Sequence, residues 1–122
     1  MRDKYGVRKQ QEYERYHNTP GPLASVYLIM ITPPGQALYH KIGHTSIGLV
    51  ERFRRDLEMP SYVRLYESDY MDLDKAKLLE KTIHDAFSSK RFVPTHRFGG
   101  RFECFRLDKS DISLIGEWLK KA

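Results

Sequence analysis

The segment "YHKIGHTS" at residues 39–46 brings three potential cations together. Lys41 lies between His40 and His44, and Gly43 stands where a strand would stop pairing. Lysine and histidine side chains can bind an anion or transfer a proton, so this spacing is consistent with a site for a charged substrate. Taken alone, the same segment is also typical of a strand end followed by a helix cap.

Glu80 is the polar residue that departs most clearly from its surroundings. The pattern predicts a helix over residues 73–88, in which Ala76 and Ile83 mark the apolar stripe. Glu80 falls within or at the edge of that stripe, and His84 follows one turn later. Since a buried carboxylate is unfavourable unless it is paired, we expect either a salt bridge with an arginine or a divalent-metal ligand.

Tyr27 and Arg52 are two further candidates. Tyr27 interrupts an otherwise aliphatic strand predicted over residues 25–32, and Arg52 lies beside the apolar stripe of a helix predicted over residues 47–58. Tyr27 could simply be a core tyrosine, and Arg52 could reach a cleft or remain solvated. The five histidines do not have the spacing of a zinc site.

A short series of predicted elements positions these candidates. A β-hairpin should pair residues 25–32 with residues 37–43 around the turn "PPGQ". The hairpin would place Tyr27 near-opposite Lys41, with both side chains on one face. The later elements are a helix at 47–58, a strand at 61–68, a helix at 73–88, a basic loop at 89–101, a strand at 101–107 and a helix at 111–122.

This order of elements predicts an α+β fold with a central antiparallel three-stranded sheet and flanking helices. A length of 122 residues fits one domain, which we place at residues 23–122. We expect residues 1–22 to form a basic N-terminal arm or helix.

The composition favours an anionic partner. Lys and Arg outnumber Asp and Glu by 21 to 16, which gives a net charge of +5 and indicates nucleic acid. Aromatic residues adjoin basic ones in "ERFRR" and "GGRFECFR", where they could stack on bases or belong to the core. Cys104 is the only cysteine, which suits a reducing compartment. No apolar run is long enough to span a bilayer, so we expect no membrane association and no secretory leader.

Five short motifs, in order, resemble those of the GIY-YIG nuclease superfamily. They are "VYLI", "YHKIGHT", an arginine on the following helix, "LLEKTIHDAF" and "GRFECFRL", and they extend from about residue 25 to residue 107. The resemblance is closest to the branch, frequent in phage and fungal proteins, whose second motif reads "KIG". Two departures are the missing glycine of the first motif and Cys104 in place of a tryptophan in the last.

The resemblance implies a role for each candidate. Tyr27 would be the first-motif tyrosine, and Lys41 would replace the second tyrosine, with either of them assisting deprotonation of water. Glu80 would hold a single Mg²⁺ or Mn²⁺ ion. The other catalytic candidates are Arg52 (with Arg54 and Arg55 as alternatives), His44 as a donor towards phosphate, His84 as the histidine of the branch, and Glu103 as the acidic residue of the last motif.

The implied function is divalent-metal-dependent endonuclease activity on nucleic acid, with DNA as the expected substrate and a homodimer as one possible assembly. The expected location is the cytoplasm of a bacterial or phage-infected cell, or the nucleus. One alternative is a non-catalytic DNA-binding module of the same fold. Another is a structural domain in which Glu80 and Arg52 form a core ion pair.

Overall fold

The computed structural model describes residues 22–54, 56–95 and 97–122. The predicted N-terminal arm therefore lies almost wholly outside the described residues. In the described part of the chain, an antiparallel sheet and three α-helices form a small α+β fold, as predicted. None of these helices is long and apolar enough to cross a membrane.

The sheet is built around the predicted hairpin. Its described strands are β1 (Leu23–Ile31), β2 (Tyr39–Thr45), β3 (Tyr62–Glu67), β4 (Met71–Asp72), β5 (Arg91–Phe92) and β6 (Cys104–Phe105). All pairings are antiparallel, the order is β3-β1-β2-β6-β5, and β4 pairs with β1. The three central strands are the predicted ones, β6 lies within the strand predicted at residues 101–107, and the short β4 and β5 extend the sheet beyond the prediction.

The helices are α1 (Leu49–Phe53), α2 (Leu73–Ala86) and α3 (Lys109–Lys121). Asp108 caps α3 and forms a capping box with Asp111. The helix predicted at residues 47–58 is much shorter than expected. After Phe53 the carboxylate of Asp56 accepts hydrogen bonds from the backbone N–H groups of Glu58 and Gly99, at 3.2 and 2.8 Å. These bonds give the backbone an alternative to a continued helix.

The strand predicted at residues 101–107 is also shorter than expected. Arg101–Glu103 form a 3₁₀ turn, and only Cys104–Phe105 pair as a strand. The turn begins at Gly100, whose φ of 88° is a left-handed conformation that favours glycine. This turn moves Glu103 out of the strand and towards β2.

The two faces of the sheet pack against different partners, because side chains of a strand alternate between faces. Val26, Leu28 and Ile42 face α2 and α3. Tyr27, Ile29 and the Lys41 side chain face α1 and the segment around Phe98. The first apolar cluster consists of Ala24, Val26, Leu28, Ile42, Ala76, Ile83, Phe87, Phe105, Ile115 and Leu119. The second consists of Tyr27, Ile29, Ile31, Tyr39, Leu49, Phe53, Phe98 and Cys104.

Candidate active site

The candidate site lies where β2 runs past the end of β6. Only His40 and Lys41 of β2 pair with β6, so among the described strands the rest of β2 pairs with β1 alone. The backbone carbonyl of Ile42 accepts a hydrogen bond from Nε2 of His84 at 2.8 Å. This open edge of β2 lets side chains from the two faces of the sheet approach one another.

Lys41 is fully buried and is held by two oxygen atoms. Its Nζ donates to Oη of Tyr27 at 2.6 Å and to Oε1 of Glu103 at 2.9 Å. Burial alone would lower the pKa of Lys41, but Tyr27 and Glu103 outweigh it and raise the pKa. The two oxygen partners thus stabilise the ammonium form of Lys41, and only the neutral amine could act as the base that the resemblance implies.

Tyr27 lies on the same face of the sheet as Lys41, as predicted. The register pairs Tyr27 with Gly43 and Ile29 with Lys41, so the two side chains are diagonal neighbours rather than directly opposite. Burial raises the pKa of Tyr27, although the charge of Lys41 acts to lower it. The charge and hydrogen bond of Lys41 thus oppose the rise in the pKa of Tyr27, but desolvation of the phenolate is the larger effect.

Two glycines make room for the Lys41–Tyr27 pair. A Cβ atom at Gly43 would lie 2.6 Å from Oη of Tyr27 and 2.7 Å from Nζ of Lys41. A Cβ atom at Gly100 would lie 2.7 Å from the same Nζ atom. Any larger residue at Gly43 or Gly100 would displace the pair. The double glycine at residues 99–100, next to "RFE", is the sequence signal for this close approach, and it was not among the predicted site residues.

Glu80 contacts two histidines rather than an arginine. Its Oε1 atom lies 2.5 Å from Nδ1 of His44, and its Oε2 atom lies 3.5 Å from Nε2 of His84. Burial raises the pKa of Glu80, although the hydrogen bond from His44 opposes this. The alternative in which Glu80 and Arg52 form a core ion pair is therefore wrong, since the histidines take the place of the arginine.

Glu103 joins the two halves of the site. Its carboxylate accepts a hydrogen bond from Lys41, and its charge acts to raise the pKa of Glu80. Burial would raise the pKa of Glu103, but the charge of Lys41 and the hydrogen bond from Lys41 lower it. The pKa values of the two carboxyl groups thus shift in opposite directions, which makes Glu103 the stronger acid.

Arg52 lies on the Tyr27 side of the cluster. Its guanidinium carbon is 5.2 Å from the ring centroid of Phe53, and its charge acts to lower the pKa of Tyr27. Arg54 instead points to Glu51, at 3.3 Å, and is exposed. Arg55 lies outside the described residues. The arginine adjoining the cluster is thus Arg52, the first of the candidates.

The carboxylates of the cluster are suited to a hard divalent cation. Glu80 and Glu103 both carry carboxylate oxygens, which are the ligands that hard divalent cations prefer. Within residues 22–54, 56–95 and 97–122, no group of three or more His, Cys, Asp or Glu side chains is arranged to hold a metal ion. This donor set fits Mg²⁺, which keeps several water ligands and needs only one or two carboxylates.

Comparisons with known proteins add no relative. The chain matches no protein-family profile, no curated protein and no solved structure.

Proposed function

We propose that this chain is a divalent-metal-dependent endonuclease of the GIY-YIG type that hydrolyses phosphodiester bonds in nucleic acid. The observation that supports the proposal is the meeting of one buried lysine, two carboxyl groups and two histidines at the open edge of β2. They come from β2, α2 and the turn before β6, and they are the residues that the motif resemblance selects. A purely structural role does not require this many ionisable groups in one place.

His44 is the side chain best suited to accept a proton from water. With the imidazole proton on Nδ1, that atom donates to Glu80 and Nε2 is the proton acceptor; the side chain is 30% exposed. This carboxylate–histidine arrangement fixes the tautomer that a general base needs. In the proposed step, the water oxygen bonds to phosphorus, the bond from phosphorus to the leaving oxygen breaks, and Nε2 takes the water proton.

Arg52 is the proposed phosphate contact. It adjoins Tyr27 and carries a planar set of donors, which suits the developing negative charge of a phosphoryl group. Lys41 is fully buried, so its role is to position Tyr27 and Glu103. Lys41 also keeps Glu103 ionised, which leaves the carboxylate available as an acceptor or ligand.

Glu80, with Glu103 beside it, would hold Mg²⁺ or Mn²⁺. When bound, such an ion would stabilise negative charge on the phosphate and the leaving oxygen. His44 occupies Oε1 of Glu80, so Oε2 is the oxygen that remains for this role. His84 keeps α2 against β2 through its bond to the Ile42 carbonyl and thereby orients Glu80.

A second candidate is a DNA-binding module without activity. It is favoured by the complete burial of Tyr27 and Lys41, which prevents direct contact of either with a substrate in this conformation. Cleavage measurements separate the two candidates.

The test is cleavage of supercoiled plasmid in Mg²⁺ or Mn²⁺, with EDTA as the reference. We expect metal-dependent nicking that Glu80→Gln reduces to background, because the substitution keeps the shape of the side chain and deletes its charge. Glu117→Gln, at an exposed position on α3, is the matched control and should leave cleavage unchanged. Circular dichroism and DNA affinity of Glu80→Gln should remain as in the wild type.

Absence of metal-dependent cleavage of duplex, single-stranded and branched DNA and RNA by the wild-type chain would refute the nuclease proposal. DNA binding under the same conditions would then support the module. Normal cleavage by Glu80→Gln would show that Glu80 is not the ligand.

A further inference from the structure

An exposed aromatic residue stands next to the candidate active site. Phe102 is 60% exposed, and in the part of the chain that the structure describes it is the only exposed phenylalanine, tyrosine or tryptophan. It directly precedes Glu103, which binds Lys41. Single exposed apolar residues are common on protein surfaces, so Phe102 is informative through its neighbours and its position rather than through exposure alone.

The backbone holds Phe102 in place. The N–H of Glu103 donates to the carbonyl of Gly100 at 2.8 Å, and the N–H of Arg101 donates to the carbonyl of Phe98 at 3.2 Å. Phe98 itself is buried in the apolar cluster beneath α1. Phe102 therefore projects from an anchored 3₁₀ turn, and its binding surface is largely formed before a ligand arrives.

Two arginines accompany the exposed ring. The guanidinium carbon of Arg101 is 4.8 Å from the ring centroid of Phe102. Arg97, Arg101 and Phe102 line a shallow depression together with Phe98 and Gly100. In the described ranges, no carboxylate forms an ion pair with Arg97 or Arg101. The surface thus combines an aromatic face with positive charge, which matches the base and the phosphate of a nucleotide.

We propose that Arg97, Arg101 and Phe102, termed here the Phe102 platform, bind an unpaired nucleobase beside the phosphodiester at the active site. The proposal rests on the proposed function, because nucleic acid is the ligand of both. A base stacks on an aromatic ring through its flat face, and in a duplex both faces are covered by neighbouring bases. Only a single-stranded, looped or extruded nucleotide can present a free face to Phe102.

The platform lies next to the candidate active site, so binding of a base there would affect which phosphate is cut. Phe102 adjoins Glu103 in the chain, and Glu103 accepts a hydrogen bond from Lys41. A base held on Phe102 would therefore lie close to the phosphate that is cut. We infer a preference for single-stranded or branched nucleic acid over an uninterrupted duplex.

Binding is measured in EDTA, so that no cleavage occurs, with oligonucleotides carrying 2-aminopurine in a single strand or in the middle of a duplex. Phe102→Ala should weaken single-strand binding by about 5- to 150-fold, the range for loss of one base stack, and duplex binding by less than about twofold. Phe102→Tyr keeps the ring and should restore binding. Leu114→Ala, at a 47% exposed apolar position on α3, is the matched control and should change neither affinity.

Unchanged single-strand affinity in Phe102→Ala, or an equal loss for duplex, would overturn the platform. A chain that binds no nucleic acid would also overturn the platform, and the exposed ring would then be a contact for a protein partner. The binding assay contains no metal, so its result does not depend on cleavage. A chain that binds unpaired bases in this assay but never cuts in Mg²⁺ or Mn²⁺ would refute the nuclease proposal while keeping the platform.

Discussion

The two faces of the sheet differ in what covers them. One face packs against two long helices, α2 and α3, through aliphatic and aromatic side chains. The other is covered by the five-residue helix α1 and by the segment around Phe98, and it contains buried Lys41 beside Tyr27. The ionisable groups meet at the open edge of β2, beyond the two residues that pair with the short strand β6.

We infer that the face covered by α2 and α3 mainly stabilises the fold, whereas the face covered by α1 tolerates polar groups. Long helices bury a continuous apolar surface, and burial of such surface is the main source of stability. A short helix and a loop cover the other face less completely, so a polar side chain such as Arg52 can lie half-buried at its edge. Loops on a rigid scaffold commonly carry function for this reason. Substitutions test this difference between the faces, from the largest expected change in stability to the smallest.

Leu28 and Ile29 offer a direct comparison, because they are neighbours in β1, fully buried and on opposite faces. Leu28→Ala should lower the free energy of unfolding by about 4 kcal/mol, since α2 and α3 cannot close the resulting cavity. Ile29→Ala should lower it by about 2–3 kcal/mol, since α1 and the neighbouring loop can collapse. Urea unfolding followed by circular dichroism measures both.

Activity should show the reverse order. Ile29 pairs with Lys41 across the hairpin, so Ile29→Ala should disturb cleavage more than Leu28→Ala does at a temperature where both variants are folded. Equal losses of stability and of activity in the two variants would remove the distinction between the faces.

Lys41→Met tests the buried cation. The substitution leaves Glu103 and the Tyr27 hydroxyl without their donor, and it should lower the free energy of unfolding by roughly 3 kcal/mol. This value lies at the lower end for broken buried ion pairs, because the Glu103 side chain is 36% exposed. The double variant Lys41→Met/Glu103→Gln should recover part of the loss. A single variant as stable as the wild type would contradict the proposed pairing.

The contribution of this pair should depend on pH at both extremes. The pKa of Lys41 is raised above 10.5, so its stabilisation is complete below pH 10.5 and is lost as pH rises through the folded-state pKa. The pKa of Glu103 is lowered below 4.5, so its stabilisation is complete above pH 4.5 and is lost as pH falls through the folded-state pKa. The difference in stability between wild type and double variant should therefore be constant between these limits and shrink outside them.

Arg52→Ala should change stability least and cleavage strongly. Arg52 is half-buried, and it contributes positive charge near Tyr27 rather than core packing. Loss of a transition-state donor typically reduces turnover by roughly 10²–10³-fold, and we expect that range with a smaller effect on DNA affinity. Arg54→Ala, which removes an exposed pair with Glu51, is the control. Equal losses in turnover and affinity would make Arg52 a phosphate anchor only.

The sequence predicted most of the regular structure, because alternation and helical spacing are local properties. The hairpin, β3, α2 and α3 occur where the pattern indicated. The helix at residues 47–58 and the strand at residues 101–107 were predicted too long. Asp56 shortens the helix through its contact with Gly99, and Gly100 shortens the strand at its start, where it lies against Lys41. These partners are far away in the chain, and no local pattern reports such contacts.

For the candidate site, the sequence by itself determined which residues could do chemistry and that Tyr27 and Lys41 share a face. The second result follows from the alternation of side chains along two strands joined by a short turn. The tertiary structure alone decided how the groups are paired. Glu103 reaches Lys41 across 62 positions of the chain, and His44 reaches Glu80 across 36. Such pairings, and the pKa values that follow from them, depend on how the helices and the 3₁₀ turn pack on the sheet, which no short stretch of sequence encodes.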